Sequence, residues 1–336
     1  MATEKEQDDA RTYDPPLIPL PVPEVIKAAA LRGKLVIFVG AGVSRLAGGP
    51  SWSNFANEVL EQLCAKSLID HAEIKQLQDY DPKTRLSIAK DICRDSCESI
   101  DYKAILQRNT PTREELAIFE HLISIGTPFV TTNFDPRLEL ACTISPGVVT
   151  LKEGSEPAES EGPGVTRKLV SIHQVADLRT NLLYEPDHII HLHGCIEDYN
   201  GMIISTRDYL KHYNKPEVIE FLRVLFTEFT VLFVGYGLDE LEILEHVFLK
   251  KPSNDKDNIE GQHYWLFPVF SYQTQLLKRL QKYYRNHCNV ELVGFNRDKN
   301  NYHQLVNVVA AWAKEINYRP PGFSEKAKVI ERAFDG

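Results

Sequence analysis

At 336 residues and 43% apolar content, the chain can fill a sizeable core, either as one large domain with an insert or as two modest domains. Its formal charge of −9 argues against a broad basic surface, so direct nucleic-acid binding through phosphate contacts is not expected as its main work. No stretch approaches the roughly 20 apolar residues that span a bilayer, and six scattered cysteines with no CxxC spacing frame neither a disulfide scaffold nor a metal site.

Residues 1–22 are charged and then proline-rich, without the basic start and apolar run of a secretory signal, so a flexible lead and a cytoplasmic location are expected. "PEVIKAAALRG" reads as a helix opened by Pro23 and closed by Gly33. "KLVIFVG" then reads as a strand buried on both faces, because its apolar run shows no polar alternation. "PFVTTNFD", "HIIHLHG", "TVLFVGYG" and "HYWLFPV" share that character, "VELVGFN" matches more weakly, and "KLVSIH" is a short further candidate.

Between the first two strands, the 3.6-residue periodicity of "NFANEVLEQLCAK" and "REELAIFEHLISIG" predicts a helical insert over about 54–126. In "GPSWSNF", Trp52 is expected to anchor the loop on the sheet, with Ser51 or Ser53 capping the helix. Residues 151–167 are Glu-, Gly- and Pro-rich and read as a mobile acidic loop. Downstream, "PEVIEFLRVLFTEF", "LDELEILEHVFLKK", "YQTQLLKRLQKYYRNH" and "NYHQLVNVVAAWAKEI" read as helices, and residues 317–336 form a tail after the main domain, 23–316. Strands alternating with helices predict an α/β fold: a doubly wound, Rossmann-like parallel sheet of about six strands with a helical insert. Ligands of such sheets sit beyond the carboxyl ends of the strands.

The unusual residues fall at those ends. In "VGAGVSR", Gly40 ends a strand and Gly42 permits close backbone approach, so N–H groups at a helix start are placed to cradle phosphate, with the Ser44 hydroxyl beside them. A tight strand-to-helix turn also demands glycine. A Walker loop is excluded because no GK[ST] closes the turn, and a dehydrogenase fingerprint is disfavoured because Arg45 stands where its third glycine belongs. "TTNFDPRLE" places Asn133 and Asp135 at the next strand end, where both types also serve as ordinary caps. In "HIIHLHG", His191 reads as a satisfied core group, whereas His193 stands at the lip beside Gly194 with an expected pKa near 6.5, suited to proton transfer. "LFVGYGLDE" adds Gly235 and Gly237 for close approach and Tyr236 to pack on a ligand.

The ordered set "GAGVS", "TTNFD", "HLHG" and "VGYGLDE" resembles the sirtuin superfamily, and more closely its bacterial, often defence-associated NAD-hydrolysing branch, over roughly residues 30–295. The resemblance implies NAD as substrate, with Gly40, Ala41, Gly42 and Ser44 at the pyrophosphate and Gly235, Tyr236 and Gly237 at the adenosine end. It implies catalytic roles for Asn133, Asp135 and His193, with Thr132 lining the site in place of the glutamine that deacylases carry. The four-cysteine zinc ribbon of the deacylases is missing, Cys195 alone standing directly after the "HG" pair, so no metal is expected and deacylation is disfavoured. The expected reaction is hydrolysis of NAD to nicotinamide and ADP-ribose. Asn133 would orient the ribose or water, Asp135 would stabilise the nicotinamide side, and His193 would act on a ribose hydroxyl or the attacking water. The resemblance further implies a homo-oligomer triggered by assembly or by a partner, such as a HerA-type ring ATPase, a phage protein or a nucleotide-derived signal. The alternatives are a non-catalytic NAD- or ADP-ribose-binding scaffold and a zinc-free deacylase or ADP-ribosyltransferase.

Overall fold

The computed structural model describes residues 20–144, 148–152, 167–237 and 263–319. Its centre is an eight-stranded sheet in the order β3-β4-β5-β2-β1-β6-β7-β8, and every neighbouring pair is parallel. The strands are β1 (Leu35–Val39), β2 (Phe129–Thr131), β3 (Val148–Lys152), β4 (Arg167–Ile172), β5 (His188–His191), β6 (Thr230–Val234), β7 (His263–Val269) and β8 (Val290–Asn296). The doubly wound α/β reading holds, with more strands than the six expected: "KLVSIH" contributes to β4, and β3, which pairs with it, is unexpected because its run "VVTLK" ends inside the segment read as loop from 151. The expected acidic loop between them falls, over 153–166, outside the described residues, as do 1–19, the helix expected over 238–251, and the tail from 320 onward.

Alternation along β1 sends side chains to two cores. Leu35, Ile37 and Val39 face a cluster built with α1 (Glu24–Leu31), α7 (Arg113–Ile125), α8 (Arg137–Ile144) and α12 (Gln304–Glu315). Val36 and Phe38 face a second cluster, built with α10 (Pro216–Glu228) and α11 (Thr274–Cys288). Trp312 of α12 fastens the start of the described chain by donating its indole N–H to the carbonyl of Leu20 at 2.8 Å.

A third cluster belongs to the insert: α3 (Trp52–Ala65), α4 (His71–Leu77), α5 (Pro82–Ser96) and α6 (Tyr102–Leu106). The periodicity places the insert over about 54–126, yet α7 contributes Leu116, Phe119 and Leu122 to the sheet's own first cluster. Both kinds of helix carry an apolar stripe, so periodicity alone does not say which surface each covers. Insert and sheet meet through Phe134, whose ring lies 5.7 Å from Trp52 and 6.2 Å from Phe55. Trp52 is the anchor expected of it, and Ser51 is the cap, its hydroxyl accepting the N–H of Asn54.

The chain builds β2, β5, β4 and β3 on one side of β1 and β6, β7 and β8 on the other. Connections on the two sides use opposite faces, since α7 leads into β2 on the first face and α10 into β6 on the second. The strand order therefore reverses at β1, and doubly wound sheets bind their ligands beyond the carboxyl end of such a switch point.

Candidate functional site

The first turn is set by backbone against backbone. Gly40 and Gly42 donate their N–H groups to the carbonyls of Val234 and Gly235, at 2.9 and 2.7 Å. A Cβ on Gly42 would stand 2.6 Å from the Gly235 oxygen, and Gly235 itself has a φ of +65°, so the turns after β1 and β6 interlock only because both lack side chains. These N–H groups are thus already committed within the fold. Ala41 opens α2 (Ala41–Leu46), and Ser44 lies on that helix with its hydroxyl turned inward.

That hydroxyl meets the second turn. Asn133 Nδ2 donates to Ser44 Oγ at 3.0 Å, with both residues buried. The Asn133 backbone is held as well: its N–H donates to Thr131 Oγ1 at 3.0 Å, and Thr131 Oγ1 donates to the carbonyl of Val39 on β1. Asn133 Oδ1 is buried with no hydrogen-bond partner among the described residues. Thr132 beside it is buried too.

Asp135 faces a partner that sequence reasoning missed. Its Oδ1 accepts from the backbone N–H of Arg137 at 3.3 Å and lies 3.4 Å from the guanidinium Nη1. The first contact is an Asx-type turn leading into α8. Arg137 is itself buried, with Nε unpartnered among the described residues, and its Nη1 lies 3.0 Å from where a Cβ on Gly49 would stand. It places a positive charge against the segment that follows α2. An arginine two residues beyond the strand-end carboxylate was the available signal.

His191 is the satisfied core group expected. Its Nδ1 lies 3.0 Å from the carbonyl oxygen of Asn133 and its Nε2 lies 2.7 Å from Glu139 Oε1. His173, His191 and Cys195 bring ligand-type atoms within 4.8 Å of one another. Both nitrogens of His191 already face acceptors, and burial, followed by the charge of Glu139, pushes the Cys195 thiol up, so this donor set suits a metal poorly.

The expectation of an imidazole of ordinary pKa at an open lip fails for His193. Its side chain is 1% exposed and sits under α9 (Thr206–Tyr213). Nε2 lies 2.7 Å from the hydroxyl of Tyr213, Nδ1 lies 3.4 Å from that of Tyr209, and the rings of His212 and Phe134 lie 5.9 and 6.5 Å away. Burial, then His212 and Lys83, hold it well below the ordinary imidazole range, so the ring is neutral near pH 7. α9 is tied in turn to α5 of the insert: Lys90 Nζ lies 2.7 Å from Asp208 Oδ2, the N–H of Thr206 donates to Ser87 Oγ at 2.8 Å, and Lys83 Nζ stands 3.8 Å above the Tyr209 ring.

Tyr236 departs from expectation as well. It is 6% exposed, and its ring contacts Phe38 at 5.0 Å and Phe233 at 5.6 Å within the second core cluster, so it packs inward rather than onto a ligand. Burial of that large ring favours the core position. Gly237 is exposed and is the last described residue before 263.

The structure therefore joins Gly40, Gly42, Gly235, Ser44 and Asn133 in one contiguous array across the ends of β1, β2 and β6. His191 is linked to it through Asn133. Asp135 forms a pair with Arg137, and His193 occupies an aromatic compartment bordered by Phe134 and Tyr213.

A family model described as a SIR2-like domain matches residues 127–308, from just before β2 into α12; the Gly40–Ser44 turn lies outside the match. The chain is 24% identical over 229 residues to Defense-associated sirtuin 2 of Bacillus subtilis, which covers 65% of this chain but 19% of that protein's length. Since the matched region takes in more than half of the chain and includes the ends of β2, β5 and β6, the protein belongs to the SIR2-like domain family.

Proposed function

We propose that the protein is an NAD glycohydrolase that releases nicotinamide and ADP-ribose, and that it acts in prokaryotic defence against phage. SIR2-like domains use NAD, and the similarity to a defence-associated sirtuin supports the setting. The observation that carries the reading is Asn133: its amide is fixed to Ser44 beyond the carboxyl end of β1 while Oδ1 is buried without a partner among the described residues, an arrangement that a polar ligand or water would complete.

NAD brings its own leaving group, a cationic nicotinamide, so the protein has chiefly to position groups and stabilise charge. Asn133 Oδ1 is oriented to accept from a ribose hydroxyl or a water. The Asp135–Arg137 pair offers a carboxylate toward the nicotinamide side and a buried cation for the diphosphate. His193, neutral near pH 7, is competent to accept a proton once α9 moves, since in the described conformation its ring is sealed. That seal supports the further proposal that homo-oligomerisation or a partner, such as a ring ATPase of the HerA type, activates the enzyme.

The test is nicotinamide release from NAD by the purified chain, alone and with candidate partners, followed together with particle mass. Asn133→Ala and His193→Ala should each abolish turnover while leaving the circular dichroism spectrum unchanged; full turnover in either folded variant refutes the role. The sealed His193 also favours a second reading, a non-catalytic NAD- or ADP-ribose-binding scaffold, which would bind ADP-ribose equally well after His193→Ala and release no nicotinamide in any assembly.

A further inference from the structure

Behind Asn133 runs a buried chain of hydrogen bonds that none of these roles uses. The two ring nitrogens of His191 face a backbone carbonyl, that of Asn133, and a carboxylate oxygen, Glu139 Oε1. The carbonyl cannot donate, and neither can Glu139 once ionised, the form that His191 and Ser171 favour, so both bonds then require a proton on each nitrogen and the ring is an imidazolium. Glu139, on α8, also accepts from the hydroxyl of Ser171 on β4. Burial works against charge on both members. It is outweighed for His191 by the charge and bond of Glu139, which raise it, and for Glu139 by those of His191, which lower it. The other titratable groups facing His191 are His173 after β4, with ring centroids 5.3 Å apart, Asp135 in the β2 loop, and Cys195 after β5.

An ion pair so placed is an expensive way to fill a core. Removing two charges from water costs several kcal/mol each, and apolar replacements of the same volume are often at least as stable. What the pair supplies is direction. Asn133 is held through its N–H by Thr131, through its carbonyl by His191 and through its amide nitrogen by Ser44, and these three constraints leave Oδ1 a single orientation. Among them, only the carbonyl contact is backed by a charged pair anchored on two further elements, α8 and β4.

We propose that His191 and Glu139 are positioning residues for Asn133: their ion pair grips the Asn133 carbonyl and thereby aims its amide oxygen at the substrate. The proposal builds on the reading that Asn133 acts on NAD. A misplacement of about 1 Å at a reacting centre can cost on the order of 10²-fold in rate, which sets the size of the expected effect.

Glu139→Gln and His191→Gln should lower kcat for nicotinamide release by about 10- to 100-fold, with KM for NAD within about threefold of the wild type. Unchanged kcat per folded molecule in both variants overturns the proposal, as does a loss that disappears once the folded fraction is accounted for. A second readout needs no turnover. In ¹⁵N-histidine spectra at pH 6.5, where a free imidazole is half deprotonated, the wild-type His191 ring should carry protons on both nitrogens, and Glu139→Gln should lose one of them. A singly protonated His191 in the wild type overturns the proposal whatever the activity. If instead the doubly protonated ring is present but no assembly of the wild type releases nicotinamide, the hydrolase reading falls, and the pair is then judged by ADP-ribose affinity: weakening by tenfold or more in Glu139→Gln supports it, and unchanged affinity overturns it.

Discussion

The amide nitrogen of Asn133 donates to the hydroxyl of Ser44 across 3.0 Å, tying the end of β2 to the helix that follows β1. Both groups are buried, so the bond cannot be exchanged for one to bulk water. Ser44→Ala should therefore strand a buried donor and cost about 1–3 kcal/mol of stability. Nicotinamide release should fall at least tenfold, because Asn133 is then free to turn. Denaturant unfolding reads the first effect and turnover per folded molecule the second. A stability loss with full turnover would assign Ser44 to the fold alone.

The interlocked turns after β1 and β6 give a second expectation. A Cβ on Gly235 would stand 2.5 Å from the backbone nitrogen of Val43, at a φ of +65°. A Cβ on Gly42 would meet the Gly235 oxygen at 2.6 Å. Either alanine substitution forces backbone apart and should cost about 1–3 kcal/mol as an overpacked contact. Because both disturb one interface, the double variant should cost less than the sum of the two. Strict additivity of the urea midpoints would show that the turns are not coupled.

How much of this was legible beforehand depends on the range of the signal. β1 and β6 are uninterrupted apolar runs, and burial on both faces of a central parallel strand produces that pattern locally. Ser44 and Asn133 stand out singly as polar residues at strand ends, but their contact spans 89 positions and no local pattern encodes it. Glu139 reads as one more charge on a helix, and only the docking of α8 over β5 converts it into the partner of His191. Tyr213 lies 20 positions beyond His193, and that it lands on that ring depends on how α9 meets the insert. His193 was misjudged for the same reason: glycine next to a strand end signals a turn, and α9, which covers the ring, is remote in the strand pattern.

The ties between α9 and α5 should hold the site closed. Lys90–Asp208 is half-exposed and worth at most about 1 kcal/mol, and the bonds between Ser87 and Thr206 add a comparable amount. Removing both, in Ser87→Ala with Lys90→Ala, should raise the population in which His193 is uncovered and increase basal nicotinamide release several-fold. Amide exchange along α9 should accelerate in parallel. Faster exchange with turnover unchanged would show that α9 does not gate the site.

His212 offers a pH-dependent expectation. Its ring is buried on α9 with both nitrogens unpartnered among the described residues, and burial, followed by the charge of Lys215, takes its pKa from the ordinary 6.5 down to about 4. A histidine whose folded pKa is depressed binds fewer protons folded than unfolded between those two values, so stability falls as pH drops through that window. His193 and His173, also lowered by burial, act in the same sense. His191 acts oppositely, but its raised pKa places its loss on the alkaline side, above 6.5. The depressed carboxylates, Glu139 and Asp208 among them, lose their contribution only from about their ordinary values of 4.5 for Glu and 3.8 for Asp downward. Between pH 6.5 and 4.5 the slope therefore belongs to the buried histidines. His212→Leu removes two unpartnered polar atoms and one titration, so the urea midpoint should be equal or higher at pH 7 and fall less steeply toward pH 4.5. An unaltered slope in a folded His212→Leu protein would mean that His212 is not held neutral by the fold.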